Sequence, residues 1–347
     1  MKLYEYKSLA REEVPYFGQV GLEIETETEN QYAVTRNILQ HWSQHLDGSL
    51  RHFGIEYVLT RPLDVGSEQY NDALASFHAL SNQVKFLDSP YTSVHVHLNM
   101  MDKDLIHMMN FICLYFLFEE VLGEYCGNAR NGNLFCLKTS TAEETYRRVI
   151  ALAEAIENGT GGDNLRTLNN DVLKYSGLNI VPLRAYGSLE VRTHPGTADI
   201  ALIDRWVRIL YQLYTKADTF QSPVEIINRL IGNRSKLAFA ESIFEGYEQY
   251  LPMDDLDRKM HDGIWYSAAL GRAVKNWKDF GTKKQKSRPI YRWELDNTPQ
   301  LNNAEVRLQE LQRLRDSSTD WVTATNNLNT TNTTPTPFNW VRTREDT

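Results

Sequence analysis

The sequence has little cysteine: Cys113, Cys126 and Cys136 are an odd set with no CxxC pair. That excludes a disulfide-framed scaffold and a four-cysteine zinc site, and it fits reduced intracellular thiols. Positive charge is also short. Lys and Arg number 37 against 45 Asp and Glu, for a net charge of −8. The balance argues against a broad nucleic-acid-binding surface. The short basic run Lys283-Lys-Gln-Lys286-Ser-Arg288 reads as a solvated loop. Long apolar runs are missing as well. The stretch from Leu105 to Phe118 is too short to span a bilayer and reads as a buried helix. Met1-Lys-Leu-Tyr-Glu-Tyr-Lys lacks the apolar run of a signal peptide. The expectation is a cytoplasmic chain with no membrane partner. Gly159-Thr-Gly161-Gly162 lacks the Lys-Ser/Thr of a P-loop, so a helix-ending loop is the better reading. There is no internal repeat and no regular βαβ rhythm.

What is present is an ordinary globular composition, 41% hydrophobic and 24% charged over 347 residues, enough for a sizeable core. Alternation and turn signals predict strands at 19–27, 54–59, 93–100 and 188–194. Helical periodicity predicts helices at 34–46, 67–87, 104–125, 142–157 and 199–218, then a mostly helical region to about 315. In the segment 34–46 the stripe is Val34, Ile38, Leu39 and Trp42. Residues 317–336 are rich in Thr and Asn and read as a flexible tail. Strands and helices mixed in this way indicate an α+β fold.

Three of the strands carry one apolar and one polar face, because side chains alternate across a strand. Glu23, Glu25 and Glu27 oppose Leu22 and Ile24. His95, His97 and Asn99 oppose Val94, Val96 and Leu98. Glu190, Arg192 and His194 oppose Leu189 and Val191. Taken singly, each polar face is what a solvated strand, a surface His pair or a cross-strand ion pair looks like. Like charges two apart on one face repel, so a buried cluster of them needs a cation. Mg²⁺ and Mn²⁺ prefer carboxylate oxygens, and paired imidazoles also suit Zn²⁺. Spacing alone leaves the metal open.

Read in series, the motifs resemble the amidoligase family of phages and bacteria, in the superfamily of glutamine synthetase and glutamate–cysteine ligase. They are Gly21-Leu-Glu23-Ile-Glu25-Thr-Glu27, Asp47-Gly-Ser49, Gly54-Ile-Glu56-Tyr-Val-Leu-Thr-Arg-Pro62 and Ser93-Val-His95-Val-His97-Leu-Asn99. Arg130-Asn-Gly-Asn-Leu-Phe-Cys136, Lys174-Tyr-Ser-Gly-Leu-Asn179 and Leu189-Glu190-Val-Arg192-Thr-His-Pro-Gly196 follow in the family's order. The resemblance covers roughly residues 18–210.

It implies a curved antiparallel sheet with a polar concave face, backed by helices, in a catalytic domain over 1–225. A helical region over 226–316 and a tail over 317–347 are expected beyond it, outside the resemblance. It implies an ATP-dependent ligase with Mg²⁺ or Mn²⁺, as two ions, that forms an amide through an acyl phosphate. The partners would be a small-molecule or peptide carboxylate and an amine, with homo-oligomerisation left open. In a phage protein the compartment would be the host cytoplasm.

By the same resemblance Glu23, Glu25, His95, Glu190 and Glu56 are the metal ligands, with Glu27 standing behind them. Arg192 grips the transferring phosphoryl group, a role suited to a planar guanidinium. Arg130 binds phosphoryl or substrate carboxylate, and Glu56 and Asp47 join the catalytic set, with Asp47 and Ser49 either orienting the amine or forming a turn. His97, Asn99 and Lys174 face the nucleotide. Two other readings use the same residues: a zinc- or manganese-dependent hydrolase, and a non-catalytic phage structural or binding protein that keeps the fold.

Overall fold

The computed structural model describes residues 1–283 except 10, 15–17, 33–35, 52, 128–132, 134–135, 160–164, 166–167, 169–172 and 233–234. The basic run beyond Lys283, the tail and Arg130 therefore lie outside the described residues.

In chain order the strands are β1 (Val20–Thr26), β2 (Trp42–Leu46), β3 (Ile55–Leu59), β4 (Ser93–Asn99), β5 (Leu178–Asn179) and β6 (Ser188–Pro195). The helices are α1 (Leu3–Tyr6), α2 (Arg36–Leu39), α3 (Glu68–Ser81), α4 (Leu105–Tyr125), α5 (Glu143–Asn158), α6 (Pro182–Ala185), α7 (Ile200–Ala217), α8 (Pro223–Gly232), α9 (Lys236–Ile243), α10 (Leu256–Lys259) and α11 (His261–Ala273). The strands form one six-stranded sheet in the order β2-β3-β1-β4-β6-β5. Every pairing is antiparallel. The architecture is α+β, a sheet backed by helices.

Local signals set several of the boundaries. The Ser67 hydroxyl caps α3 by accepting from the Tyr70 N–H, and Asp199 caps α7 by accepting from Ala201 and Leu202. Gly159, at φ 67°, closes α5 in the left-handed region. The helix expected over 34–46 is instead the short α2 followed by edge strand β2. Trp42 pairs with Leu59 and Leu46 with Ile55, and Trp42 is buried where its indole N–H donates to the Ala73 carbonyl at 2.9 Å. A non-local ladder overrides a helical stripe here.

One face of the sheet is apolar. Leu22, Ile24, Tyr57, Val94, Val96, Leu98, Leu189 and Val191 are buried on it, against the layer of α3, α4 and α7. Tyr57 meets Phe77 of α3 edge-on with ring centroids 5.5 Å apart. Helix α4 is apolar on all sides, as a helix enclosed by protein should be. Its 21 residues are long and apolar enough to cross a membrane, but 83% of its most apolar window is buried within the fold. Its polar members have internal partners. Asn110 donates to the carbonyls of Ala217 and Phe220, and His107 pairs with Asp218. Gly263 lets α11 lie directly on α4, since a Cβ there would stand 2.1 Å from the Phe116 carbonyl oxygen. The core runs without a break from Leu3 through Ile226 and Leu230 to Phe280.

Candidate metal centre

The opposite face of the sheet gathers the polar residues. Register brings Glu23 of β1 opposite His95 of β4, Glu25 opposite Glu56 of β3, and His97 opposite Glu190 of β6. Directly opposed residues in an antiparallel pair share a face. Residues far apart in sequence therefore converge on one patch. Val58, opposite Glu23, also lies on this face and packs against Tyr186.

The side chains form one connected network. One Glu23 oxygen lies 2.9 Å from His95 Nδ1 and the other 3.2 Å from His97 Nε2. Glu190 reaches His95 Nδ1 at 3.3 Å and is paired with Arg192. Glu25 lies 3.7 Å from His95 Nε2 and accepts from the Ser93 hydroxyl. Three groupings have ligand atoms all within 4.8 Å of one another: Glu23 with Glu56 and His95, Glu23 with His97 and Glu190, and Glu25 with Asp47 and Glu56. Donors around an octahedral cation with bonds of about 2.1 Å stand roughly 3–4.2 Å apart. Each grouping thus needs only a small contraction to hold an ion. The Glu25, Asp47 and Glu56 grouping offers oxygen alone, which suits Mg²⁺ or Mn²⁺. The groupings with histidine offer mixed donors that also accept Zn²⁺.

The electrostatics point the same way. Glu23, Glu25, Glu190, His95 and His97 are all buried. Burial pushes the Glu23 carboxyl well above its ordinary range, and Glu190 and Glu25 push it further, against the pull of Arg192. Glu56 is raised well above its usual value, first by burial and then by Glu23, Glu25 and Asp47. Desolvation drives His97 down to about 4 and so keeps it neutral, the form that binds metal. Burial alone would lower Arg192, but Glu190, Glu25 and Glu23 hold it raised and charged. Arg192 leaves most of the carboxylate charge uncompensated. Protons or divalent cations must supply the remainder.

The expected ligands Glu23, Glu25, His95, Glu190 and Glu56 come together. Asp47 joins them while also forming its turn, accepting from the Ser49 N–H at 2.8 Å. His97 lies inside the cluster, with Nδ1 3.1 Å from the Ser188 hydroxyl. Glu27 is buried, belongs to none of the groupings and accepts from the Arg51 backbone N–H. Asn99 sits at the far end of β4. Its amide donates to the Gly18 carbonyl and accepts from the Met101 N–H, which closes that strand end. Lys174 is exposed, with its ammonium 5.2 Å from the Tyr175 ring centroid. His194 does not share the face of Glu190 and Arg192. A bulge sets Val94 against His194 and Val96 against Val191, so β6 carries one extra residue beyond Arg192. That reverses the parity and turns the His194 ring toward Trp206 and Tyr125 on the helical side.

Three supporting residues carry no role in the sequence reading, although Ser93 and Asn179 stand in its motif series. Asn179 of β5 donates to Glu190 at 2.6 Å, Ser188 holds His97, and Ser93 bridges Glu25 and His95. Ser93 and Ser188 share the strand parity of the ligands, a signal available in the sequence. Asn179 lies on a two-residue strand with no periodicity to read.

No protein-family model matches the chain, and no curated protein matches it.

Proposed function

We propose that the chain is an ATP- and Mg²⁺- or Mn²⁺-dependent carboxylate–amine ligase of the glutamine-synthetase-like amidoligase type. One observation carries the reading. Glu23, Glu25, Glu56, His95 and Glu190 are donors of the types this chemistry uses, and they converge on one buried face with too little positive charge to balance them. The motif series of the sequence selects a ligase among the chemistries such a cluster could serve.

Divalent cations bound there would neutralise the phosphate oxygens of a nucleotide during phosphoryl transfer. Arg192, held by Glu190, has a guanidinium suited to a transferring phosphoryl group. Asp47 and Glu56, at the more open side of the cluster, would meet the incoming amine and take up its proton. In the reaction a substrate carboxylate attacks the γ-phosphorus to give an acyl phosphate and ADP. The amine then displaces phosphate.

The mixed donor grouping of Glu23, His97 and Glu190 favours the hydrolase as the second reading. One experiment separates the two: thermal stability with and without ATP and Mg²⁺, followed by ADP release with pooled carboxylates and amines. ATP with Mg²⁺ should raise the melting temperature, and Glu25→Gln should abolish ADP release while the fold persists. No shift with nucleotide, or normal ADP release by Glu25→Gln, refutes the ligase. Zinc-dependent hydrolysis without ATP establishes the hydrolase.

A further inference from the structure

The loop between β2 and β3 carries a second feature beside the cluster. Asp47, four residues before Arg51, belongs to one ligand grouping, and the Arg51 N–H holds the Glu27 carboxylate at 2.5 Å. Tyr91 stands two residues before Ser93, whose hydroxyl holds Glu25. Arg51 and Tyr91 meet at this rim. The guanidinium carbon lies 3.8 Å from the Tyr91 ring centroid, and one guanidinium N–H donates to the Tyr91 hydroxyl. Both residues are exposed, Tyr91 to 39%.

Arg51 makes no ion pair among the described residues, although Glu27 lies at its backbone N–H and Asp47 precedes it in the same loop. Stacking on a ring fixes the plane of a guanidinium and removes much of the rotamer freedom it would lose on binding. The hydroxyl contact uses one of its five N–H donors. The others remain for a planar pair of anionic oxygens. An anionic substrate approaching so many carboxylates would otherwise be repelled.

We infer that Arg51, stacked on Tyr91, is the docking point for an anionic group, carboxylate or phosphate, on the molecule that the metal centre acts upon. The inference rests on the metal-dependent reading of the site. It adds a specificity-determining residue outside the ligand groupings.

The test uses the full chain with Mn²⁺ alone, Mn²⁺ with ADP, and Mn²⁺ with a panel of L-glutamate, L-aspartate and succinate, followed by calorimetry. Arg51→Ala should leave Mn²⁺ affinity unchanged and weaken the anionic probe roughly tenfold or more, the scale of a charge-assisted pair. Arg51→Lys should recover only part, because an ammonium lacks the fork. Tyr91→Phe should lie between the two. Weakened ADP binding assigns the anion to the nucleotide phosphate. Weakened binding of a panel member with ADP unchanged assigns it to the substrate carboxylate. Unchanged affinity for every probe in Arg51→Ala, or a wild-type chain that binds Mn²⁺ but none of the probes, overturns the inference. Failure of the wild-type chain to bind Mn²⁺ would instead refute the metal reading.

Discussion

Glu23→Gln should change the stability of the protein in opposite directions with and without metal. Glu23 belongs to two of the three ligand groupings and spans both histidines of β4. Its carboxyl is raised well above the usual range by burial and by Glu190 and Glu25. The ionised form is therefore a cost to the metal-free fold. Glutamine has the same shape. Its carbonyl can accept from His95 Nδ1, and its amide can donate to His97 Nε2 when Ser188 accepts from Nδ1. In EDTA the variant should be more stable by about 1 kcal/mol, the lower end of what relieving a buried charge yields. That corresponds to roughly 2–4 °C in melting temperature.

With Mn²⁺ the order reverses. Saturation at a hundred times Kd stabilises the wild type by about 2.7 kcal/mol, or roughly 5–10 °C. Removing a shared charged ligand should cost the variant most of that gain. Thermal unfolding with EDTA and across a Mn²⁺ titration reads both effects. A variant that melts below wild type in EDTA yet keeps the full Mn²⁺ shift would refute the account of the cluster as a cation site.

The remaining predictions concern titration, orientation and packing. Because Glu56 is raised in the folded state, the folded chain binds more protons than the unfolded chain above about pH 4.5. Its contribution to stability then falls as pH rises through its native value. In EDTA the wild type should lose stability with rising pH relative to Glu56→Gln, and parallel denaturant-unfolding curves across pH would contradict this. Ser188→Ala removes the hydroxyl 3.1 Å from His97 Nδ1 and should weaken Mn²⁺ binding roughly tenfold or more. Unchanged calorimetric affinity would dismiss Ser188 as an orienting residue. Gly263→Ala drives a Cβ into the Phe116 carbonyl and Leu117 Cα and should destabilise by about 1–3 kcal/mol. An unchanged denaturant midpoint would mean that α4 and α11 can part without cost.

Four of the longer helices, α3, α4, α5 and α7, were legible because their signals are local. Asp199 and Ser67 announce two helix starts, Gly159 a helix end, and the apolar run from Leu105 a core helix. The stretch 34–46 failed because Ile38, Leu39 and Trp42 satisfy a helical stripe, while Ser43, Gln44 and His45 show no apolar alternation that would announce β2. Only pairing with β3 decides for the strand. His194 failed for a different reason. Parity counting assumes an unbroken ladder, and the bulge after Arg192 is set by how β6 meets β4.

The sequence by itself determined the chemical inventory and its alternation. Glu23, Glu25, His95, His97, Glu190 and Arg192 each sit opposite an apolar neighbour, and side-chain period in a strand is a local property. Tertiary structure decided the rest. Register brought Glu25 opposite Glu56 and His97 opposite Glu190, the β2–β3 loop added Asp47, and β5 supplied Asn179. Burial then turned an acidic strand face into a cluster whose charge calls for cations, because desolvation and mutual repulsion arise only when the strands assemble.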